Sequence, residues 1–312
     1  MSTLRQALVD YLRLRRSLGY KLRRPEKLLQ QFLDYLEATG VETITTERAL
    51  AWACQPRVTD SSWRSQRLSV VRGFANYLLW RDNNVAIHAE VPPRDLLPWR
   101  PRRASPYLYT EQEIVALIEA AKTLSSPLRV ATYQTLIGLL AVTGMRVGEA
   151  INLDRHDFDA RHGVLVIRHA KFNKTRELPL HATTVEVLRC YLDRRDHQRL
   201  QGRSPALLVS PAGTRLLYCN VQWTFQRLVR RVGLVARTRS CRPRIHDLRH
   251  SFAVRTLIDA YRDGADTQQR LTVLSTYLGH VDPAGTYWYL SASPELLGRA
   301  AERLQQHGGE KS

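Results

Sequence analysis

Cysteine is scarce in this sequence, and the few cysteines that are present do not cluster. The chain of 312 residues contains four of them, and no two have the Cys-x-x-Cys spacing. That pattern argues against a structural zinc site and against a disulfide framework. Isolated cysteines are typical of a reducing compartment, so we expect a cytoplasmic protein. The four are Cys54, Cys190, Cys219 and Cys241.

Long apolar runs are missing as well. The sequence contains no stretch of about 18 consecutive apolar residues, which predicts that no segment spans a membrane. Its first residues, from Met1 to Gln6, lack the apolar core of a signal peptide. Hydrophobic residues nevertheless make up 44% of the chain, enough for ordinary buried cores, so the composition excludes a disordered protein.

Acidic residues are too few to balance the basic ones. The chain has 29 Asp and Glu against 47 Lys and Arg, which gives a formal net charge of +18. A globular protein with this charge usually binds a polyanion, most often nucleic acid, although a merely basic soluble protein is the simpler alternative. Arginine greatly outnumbers lysine, which suits bidentate contacts with phosphate. If many phosphates are contacted, binding should weaken steeply with salt.

The apolar spacing predicts two domains and a mainly α fold with one small antiparallel β hairpin. Residues 1–88 have the 3.6-residue period of a four-helix unit, with helices near 3–18, 24–39, 46–54 and 61–80. We expect the arginines of these helices, Arg67 and Arg72 among them, to face DNA. Residues 89–106 are rich in proline and arginine, which indicates a stiff basic linker that tracks a duplex, or an ordinary connector.

The second predicted domain spans residues 107–312. A capping box at Thr110 opens its first helix, and an apolar helix over 128–140 ends at a Thr-Gly pair. A helix carrying Glu149 should run to about Asp157, and the period then changes to two for strands over 164–168 and 175–180. Further helices are expected over 183–201, 220–232, 246–260, 271–278 and 293–306, with a polar segment at 263–269.

Residues 244–253 carry the densest cluster of groups that could do chemistry. His246 and Arg249 lie three residues apart, on one face of the predicted helix. An arginine beside an imidazole can hold a phosphate and manage a proton, although such a pair is often only solvated helix surface. Arg146 follows a Gly-rich turn into a helix, where backbone N–H groups and the guanidinium can share a phosphate.

Six residues, taken in chain order, resemble the catalytic set of the tyrosine recombinases, the lambda-integrase family. The Thr-Gly-Met-Arg-Val-Gly-Glu sequence at 143–149 is similar to the family's first box, and His-Asp-Leu-Arg-His-Ser-Phe-Ala at 246–253 to its second. Leu-Gly-His-Val-Asp at 278–282 is similar to a third box, and its histidine lies nine residues before a tyrosine. The plan of a helical DNA-binding domain followed by a catalytic domain extends the resemblance to the whole chain. The six residues are Arg146, Lys171, His246, Arg249, His280 and Tyr289.

The resemblance implies transesterification at a DNA phosphodiester. Tyr289 would attack phosphorus to form a 3′-phosphotyrosyl link and release a 5′-OH, which later reverses the step on a partner strand. The two arginines would stabilise the charge on the non-bridging oxygens. Lys171 would protonate the departing oxygen, His246 would assist the nucleophile or bond the phosphate, and His280 would bond a non-bridging oxygen. No metal or nucleotide cofactor is implied.

Several alternatives remain open at this point. Tyr287 competes with Tyr289, Lys174 competes with Lys171, and Glu149 either orients Arg146 or merely caps its helix. The resemblance implies double-stranded DNA as the substrate, a homo-oligomer that is a tetramer on two DNA sites, and accessory DNA-bending or recombinase partners. A non-catalytic DNA-binding protein of the same fold and a type IB topoisomerase-like relaxase are the alternative functions.

The sequence departs from the simplest family members in one stretch. The stretch from Arg249 to His280 is longer than in Xer-type recombinases, with the extra residues near 261–269, which favours the recombinase of a mobile element. We also expect a C-terminal helix that packs either on a neighbouring protomer or on its own domain. Its apolar residues are Leu296, Leu297, Ala300 and Leu304.

Overall fold

The chain folds into two compact units in a computed structural model. The first unit comprises Met1–Arg103 and the second Ala104–Ser312. The structure describes residues 3–55, 61–81, 89–97, 105–168, 175–198, 204–238, 240–263, 266–279, 286 and 296–298.

The first unit contains the four helices that the sequence predicts. Each presents one apolar face to a common core, as its spacing requires, and Phe32 and Phe74 at the centre of that core are fully buried. The Thr45 side chain caps the third helix by accepting a hydrogen bond from the Arg48 N–H. The helices are α1 (Thr3–Ser17), α2 (Arg23–Ala38), α3 (Thr46–Cys54) and α4 (Ser61–Arg81).

Two arginines expected to face DNA are used inside this unit instead. The Arg67 side chain is only 7% exposed, lies 3.7 Å above the Trp52 ring and donates to the Trp52 carbonyl at 2.8 Å. Arg72 donates at 2.6 Å to each of two carbonyls, those of Pro92 and Pro93, and so holds the start of the Pro-rich stretch against α4. The prediction that Arg67 contacts DNA is therefore wrong, because its guanidinium is stacked on an indole in the core.

The second unit is built around α6, a largely buried helix that packs against α5, α8 and α10. Its ends follow the sequence signals: the Ser126 side chain caps the N-terminus ahead of Pro127, and Gly144 closes the C-terminus. The predicted capping box at Thr110 is confirmed. The helices are α5 (Glu111–Ala120), α6 (Pro127–Thr143), α7 (Val147–Asn152), α8 (Ala182–His197), α9 (Tyr218–Val232), α10 (Asp247–Arg262) and α11 (Thr267–Leu278).

A three-stranded antiparallel sheet lies between α7 and α8 in the sequence, in the order β1-β2-β3. The predicted hairpin is confirmed, and a short first strand that the sequence did not predict is added. Three buried side chains form a row across it, because Leu165 pairs with Phe158 on one side and with Leu178 on the other. The strands are β1 (Phe158–Asp159), β2 (Val164–Ile167) and β3 (Arg176–Pro179).

Two predicted boundaries are wrong. The helix carrying Glu149 ends at Asn152, because Leu153 turns to an extended conformation and its carbonyl accepts the N–H of Leu207. The helix predicted over 271–278 begins earlier, at Thr267 inside the polar segment, because Asp266 caps its first turn by accepting from two backbone N–H groups. Within the described residues, no helix is long and apolar enough to cross a membrane.

Candidate active site

Arg146 stands at the N-cap position of α7, immediately after the turn that ends α6. Gly144 makes that turn with φ +59°, and a Cβ added there would lie 2.4 Å from Cδ1 of Phe252. Only glycine combines this backbone conformation with so close an approach. The turn aims the Arg146 side chain, which is 30% exposed, toward the end of α11, where Nη2 donates to the Gly279 carbonyl at 3.4 Å.

Glu149 holds Arg146 from the first turn of α7. Its carboxylate accepts from the Arg146 backbone N–H at 2.9 Å and from Arg146 Nη1 at 2.8 Å, so both the backbone and the side chain of Arg146 are held. Arg176 approaches the same carboxylate from β3 with two parallel bonds of 3.1 and 2.8 Å. Burial raises the pKa of Glu149, but the hydrogen bonds from Arg176 and Arg146 outweigh it and lower that pKa on balance. Glu149 is therefore an ionised orienting group.

Arg249 lies in the first turn of α10 and is 3% exposed. Its Nη1 donates to the Gly144 carbonyl at 2.9 Å, and its Nη2 donates to the Leu278 carbonyl at 2.8 Å. Burial of a guanidinium is costly unless carbonyl or carboxylate oxygens accept its protons. The two carbonyls supply such acceptors and fix the group between the ends of α6 and α11.

His246 occupies the N-cap position of α10, beside both arginines. The residue as a whole is exposed, but neighbouring protein atoms desolvate its imidazole. Partial burial, followed by the charges of Arg249 and Arg146, lowers the pKa of His246 to about 4. The imidazole is therefore neutral at pH 7 and able to accept a proton. His250 supports it edge to face, with ring centroids 5.3 Å apart.

A buried carboxylate that sequence reasoning missed fixes the start of α10. Asp247 is 0% exposed, and it accepts from the Arg244 backbone N–H and from its Nε and Nη2 at 2.9–3.2 Å. Burial raises the pKa of Asp247, and the hydrogen bonds from Arg244 offset part of that rise. The pair holds the backbone on both sides of His246, so it sets the direction of the imidazole.

The structure thus brings three of the six predicted site residues together: Arg146, His246 and Arg249. Lys171, His280 and Tyr289 lie outside the described residues, as do their competitors Lys174 and Tyr287, so their assignment stays a prediction.

Arg176 is a site residue that the sequence pattern could have indicated. In a strand, residues two apart share a face, so Arg176 lies on the same side of β3 as the buried Leu178. A charged residue on the core-facing side of a strand needs a buried partner, which here is Glu149.

One group of potential metal ligands occurs in the described part of the chain, at Asp154, His156 and Asp157. Each carboxylate already has a guanidinium partner, since Arg215 donates to Asp154 and Arg168 to Asp157. Ion pairing with these arginines accounts for the acidic cluster, and it is separate from the residues around Arg146.

Comparisons with known proteins agree with the geometry. Residues 108–295 match the model of the phage integrase family. A putative integrase/recombinase of Sinorhizobium fredii, y4rB, is 46% identical over 98% of this chain and 98% of its own length. Tyrosine recombinase XerD of Staphylococcus epidermidis is 28% identical over 86% of both chains. The Tn1549 transposon integrase, solved in complex with a circular intermediate DNA, has the same fold: its TM-score is 0.64 at 15% identity, over 97% of this chain and 100% of that one.

Proposed function

Since this chain belongs to the phage integrase family and is a tyrosine-type site-specific recombinase, we propose that it moves a mobile DNA element by cutting and rejoining DNA through Tyr289. The observation that supports this most directly is the meeting of Arg146, Arg249 and His246 at the ends of four helices. Two guanidinium groups and a neutral imidazole are the groups that a phosphodiester needs for transesterification.

The reaction is a pair of exchanges at one phosphorus atom. The Tyr289 oxygen forms a bond to phosphorus while the bond to the 5′ oxygen breaks, which leaves a 3′-phosphotyrosyl link and a free 5′-OH. The 5′-OH of a partner strand then attacks the same phosphorus and releases Tyr289. The proton of the phenol and the proton gained by the leaving oxygen balance across each exchange, so no water or nucleotide is consumed.

The described residues Arg146, Arg249 and His246 have different roles toward the phosphate. Arg146 retains an exposed edge from which it can donate to a non-bridging oxygen, and the buried Arg249 adds fixed positive charge behind it. His246, neutral at pH 7, accepts the proton of the nucleophile or donates to the phosphate, according to its tautomer. By their match to the family motifs, Lys171 is assigned the role of general acid and His280 that of a second phosphate ligand.

Double-stranded DNA would be bound by both units. On α9, Arg227 lies 4.8 Å from the centroid of the exposed Trp223 ring, and Arg230 and Arg231 follow in the last turn. Within the described residues, no carboxylate forms an ion pair with any of these three arginines, so their charge is available to phosphates. We assign residues 1–88 to core-site binding, 89–106 to the linker and 107–312 to catalysis.

The assembly follows from the chemistry. Exchange between two duplexes needs four cleaved strands, which suggests a homo-tetramer on two DNA sites, with accessory DNA-bending or recombinase proteins as further partners. The Tn1549 integrase, which shares the fold, was solved with a circular intermediate DNA, and we extend that class of partner to this chain. We further propose that the protein acts in the cytoplasm, where its free cysteines would stay reduced.

The test uses a nicked suicide duplex that carries the termini of the element encoding the protein. The nick lets the cleaved 5′-OH fragment diffuse away, so the covalent protein–DNA intermediate accumulates. We expect a denaturation-resistant adduct with the wild type and with Tyr287→Phe, and none with Tyr289→Phe.

Each other outcome has a definite meaning. An adduct lost only in Tyr287→Phe would keep the reaction and reassign the nucleophile. No adduct in any variant, despite tight binding to the same duplex, would refute cleavage and leave a DNA-binding protein. Relaxation of supercoiled DNA without an element terminus, at the same rate as supercoiled DNA that carries one, would favour a type IB topoisomerase-like enzyme.

A further inference from the structure

The C-terminal end of α11 is held by three guanidinium groups from three different elements. The last carbonyls of a helix have no partner within the helix and carry its negative partial charge. The N–H of the C-cap residue, Gly279, donates to the carbonyls of Ser275 and Thr276, and the three carbonyls that follow accept no backbone N–H from the described residues. Each of these accepts from one arginine: Tyr277 from Arg176 at 3.1 Å, Leu278 from Arg249 at 2.8 Å and Gly279 from Arg146 at 3.4 Å.

Two of the three arginines belong to the predicted catalytic set, but Arg176 does not. Its side chain is 14% exposed. Its Nε donates to the Tyr277 carbonyl, and its two terminal nitrogens donate to the two oxygens of Glu149. All three guanidinium nitrogens are therefore engaged with protein acceptors, so Arg176 is poorly placed to bind DNA directly.

Arg176 reaches Arg146 through the shared carboxylate. A carboxylate bonded to Arg146 alone would cancel most of the positive charge that Arg146 can offer to a phosphate. With a second guanidinium on the same carboxylate, Arg146, Arg176 and Glu149 together keep a net positive charge. The bidentate pair also fixes the plane of Glu149, and hence the direction from which Arg146 is held.

The packing around Arg176 leaves little freedom. A Cβ added at Gly279 would lie 3.0 Å from Arg176 Nη1, so the guanidinium lies against the backbone of the residue that precedes His280 in the sequence. Gly279 has φ +67°, which favours glycine in any case. Arg176 itself begins β3, five residues after Lys171 in the sequence. It thus joins the strand that follows the predicted general acid to the helix end that precedes the predicted phosphate ligand.

We propose that Arg176 is a positioning residue of the DNA-cleavage site, which orients Arg146 through Glu149 and anchors the end of α11 through the Tyr277 carbonyl. This inference rests on the proposed cleavage reaction. It assigns no contact with DNA to Arg176, so loss of the side chain should slow the chemical step and leave the affinity for DNA unchanged.

The test compares single-turnover adduct formation by Arg176→Ala, Arg176→Lys and wild type, with protein in excess over the nicked duplex described above. Misplacement of a catalytic group by about 1 Å costs roughly 100-fold in rate, so we expect Arg176→Ala to be roughly 10- to 100-fold slower. Arg176→Lys should recover little, because an ammonium cannot form the fork with Glu149 and the third bond together. The dissociation constant for the intact duplex should stay within about two-fold.

Arg168→Ala is the matched control. Arg168 follows β2 in the same sheet and also donates to a buried carboxylate, Asp157, at 2.7 Å, but it makes no contact with α11 in the described structure. Its loss removes an ion pair to a buried carboxylate of the same unit without disturbing Arg146, so we expect cleavage at the wild-type rate. Melting temperatures of all variants identify any that unfold, and Arg176→Lys retains the charge should Arg176→Ala fail to fold.

A second substrate separates positioning from general damage. In a duplex whose scissile phosphate is a methylphosphonate, one non-bridging oxygen and its negative charge are replaced by a methyl group. If Arg176 acts by holding Arg146 against that charge, the defect of Arg176→Ala should shrink to within about three-fold of wild type on this substrate.

The outcomes distinguish this inference from the function on which it rests. An equal defect on both substrates, an equal defect in Arg168→Ala, or cleavage by Arg176→Ala at the wild-type rate would overturn the role of Arg176 and leave the recombinase reaction standing. Absence of an adduct from the wild-type protein would overturn both.

Discussion

The turn at Gly144 allows a stability prediction in which two costs can be separated. Gly144→Ala would place a Cβ in the left-handed region at φ +59°, and this costs about 1–2 kcal/mol of unfolding free energy. The same Cβ would lie 2.4 Å from Phe252 Cδ1 and 3.1 Å from Leu278 Cδ2, and overpacking of this kind costs about 1–3 kcal/mol more. The expected total of about 2–5 kcal/mol corresponds to a fall in Tm of roughly 4–20 °C for a unit of this size.

Gly233→Ala provides the matched control, because Gly233 also closes a helix in the left-handed conformation, with φ +76°, but has no atom within 4 Å of an added Cβ. The free energy of unfolding of Gly233→Ala should fall only by the cost of the left-handed conformation, about 1–2 kcal/mol, which corresponds to a fall in Tm of roughly 2–8 °C. Thermal and urea denaturation followed by circular dichroism measure both variants. Equal losses in Gly144→Ala and Gly233→Ala would refute the close packing of Phe252 against the turn.

Two further predictions concern a histidine of the candidate site and a buried arginine of the first unit. The pKa of His246 is lowered to about 4 in the folded protein, so the unfolded chain takes up a proton at a higher pH than the folded one. The contribution of His246 to the free energy of unfolding is therefore complete above pH 6.5 and is lost as the pH falls through 4. Urea denaturation of His246→Asn should therefore show a shallower loss of unfolding free energy between pH 6.5 and 4 than wild type, and parallel curves would contradict the assignment. Arg67→Ala should lower the free energy of unfolding by about 2–4 kcal/mol, since it opens a cavity beside Trp52 and removes the 2.8 Å hydrogen bond to the Trp52 carbonyl, which keeps only the longer bond from the Gln55 N–H. Arg13→Ala on the surface should change the free energy of unfolding little. Reduced DNA affinity at an unchanged Tm would refute the core role of Arg67.

Local signals in the sequence were sufficient for most of the secondary structure. The Thr110 capping box and the glycine that ends α6 each depend on residues within one turn of the helix end. The hairpin followed from alternation over a few residues. Short-range signals also placed Arg146 at a helix start and His246 beside Arg249, so the core of the site was predictable once the motifs were recognised.

What the sequence could not predict depends on contacts between distant residues. The strand β1 is two residues long and exists because Phe158 pairs with Leu165. The helix after Arg146 is cut short by pairing of Leu153 with Leu207, more than 50 positions away. Arg67 looked like any other arginine of a basic helix, because only the fold places it over Trp52. None of these contacts produces a period or a motif in the local sequence.

The arrangement of acceptors around the site explains how positive charge is kept for a phosphate before DNA arrives. Arg249 donates to the carbonyls of Gly144 and Leu278, which are dipoles and cannot neutralise a guanidinium. Arg146 does meet a full negative charge on Glu149, but Arg176 shares that charge. Stabilisation of a pentacoordinate phosphorus requires cations that are fixed in direction and still unbalanced, since reorganisation during the reaction adds to the barrier. A carbonyl at a helix end orients an arginine without carrying a full opposite charge, and a carboxylate in the same place leaves a net positive charge only with a second guanidinium beside it.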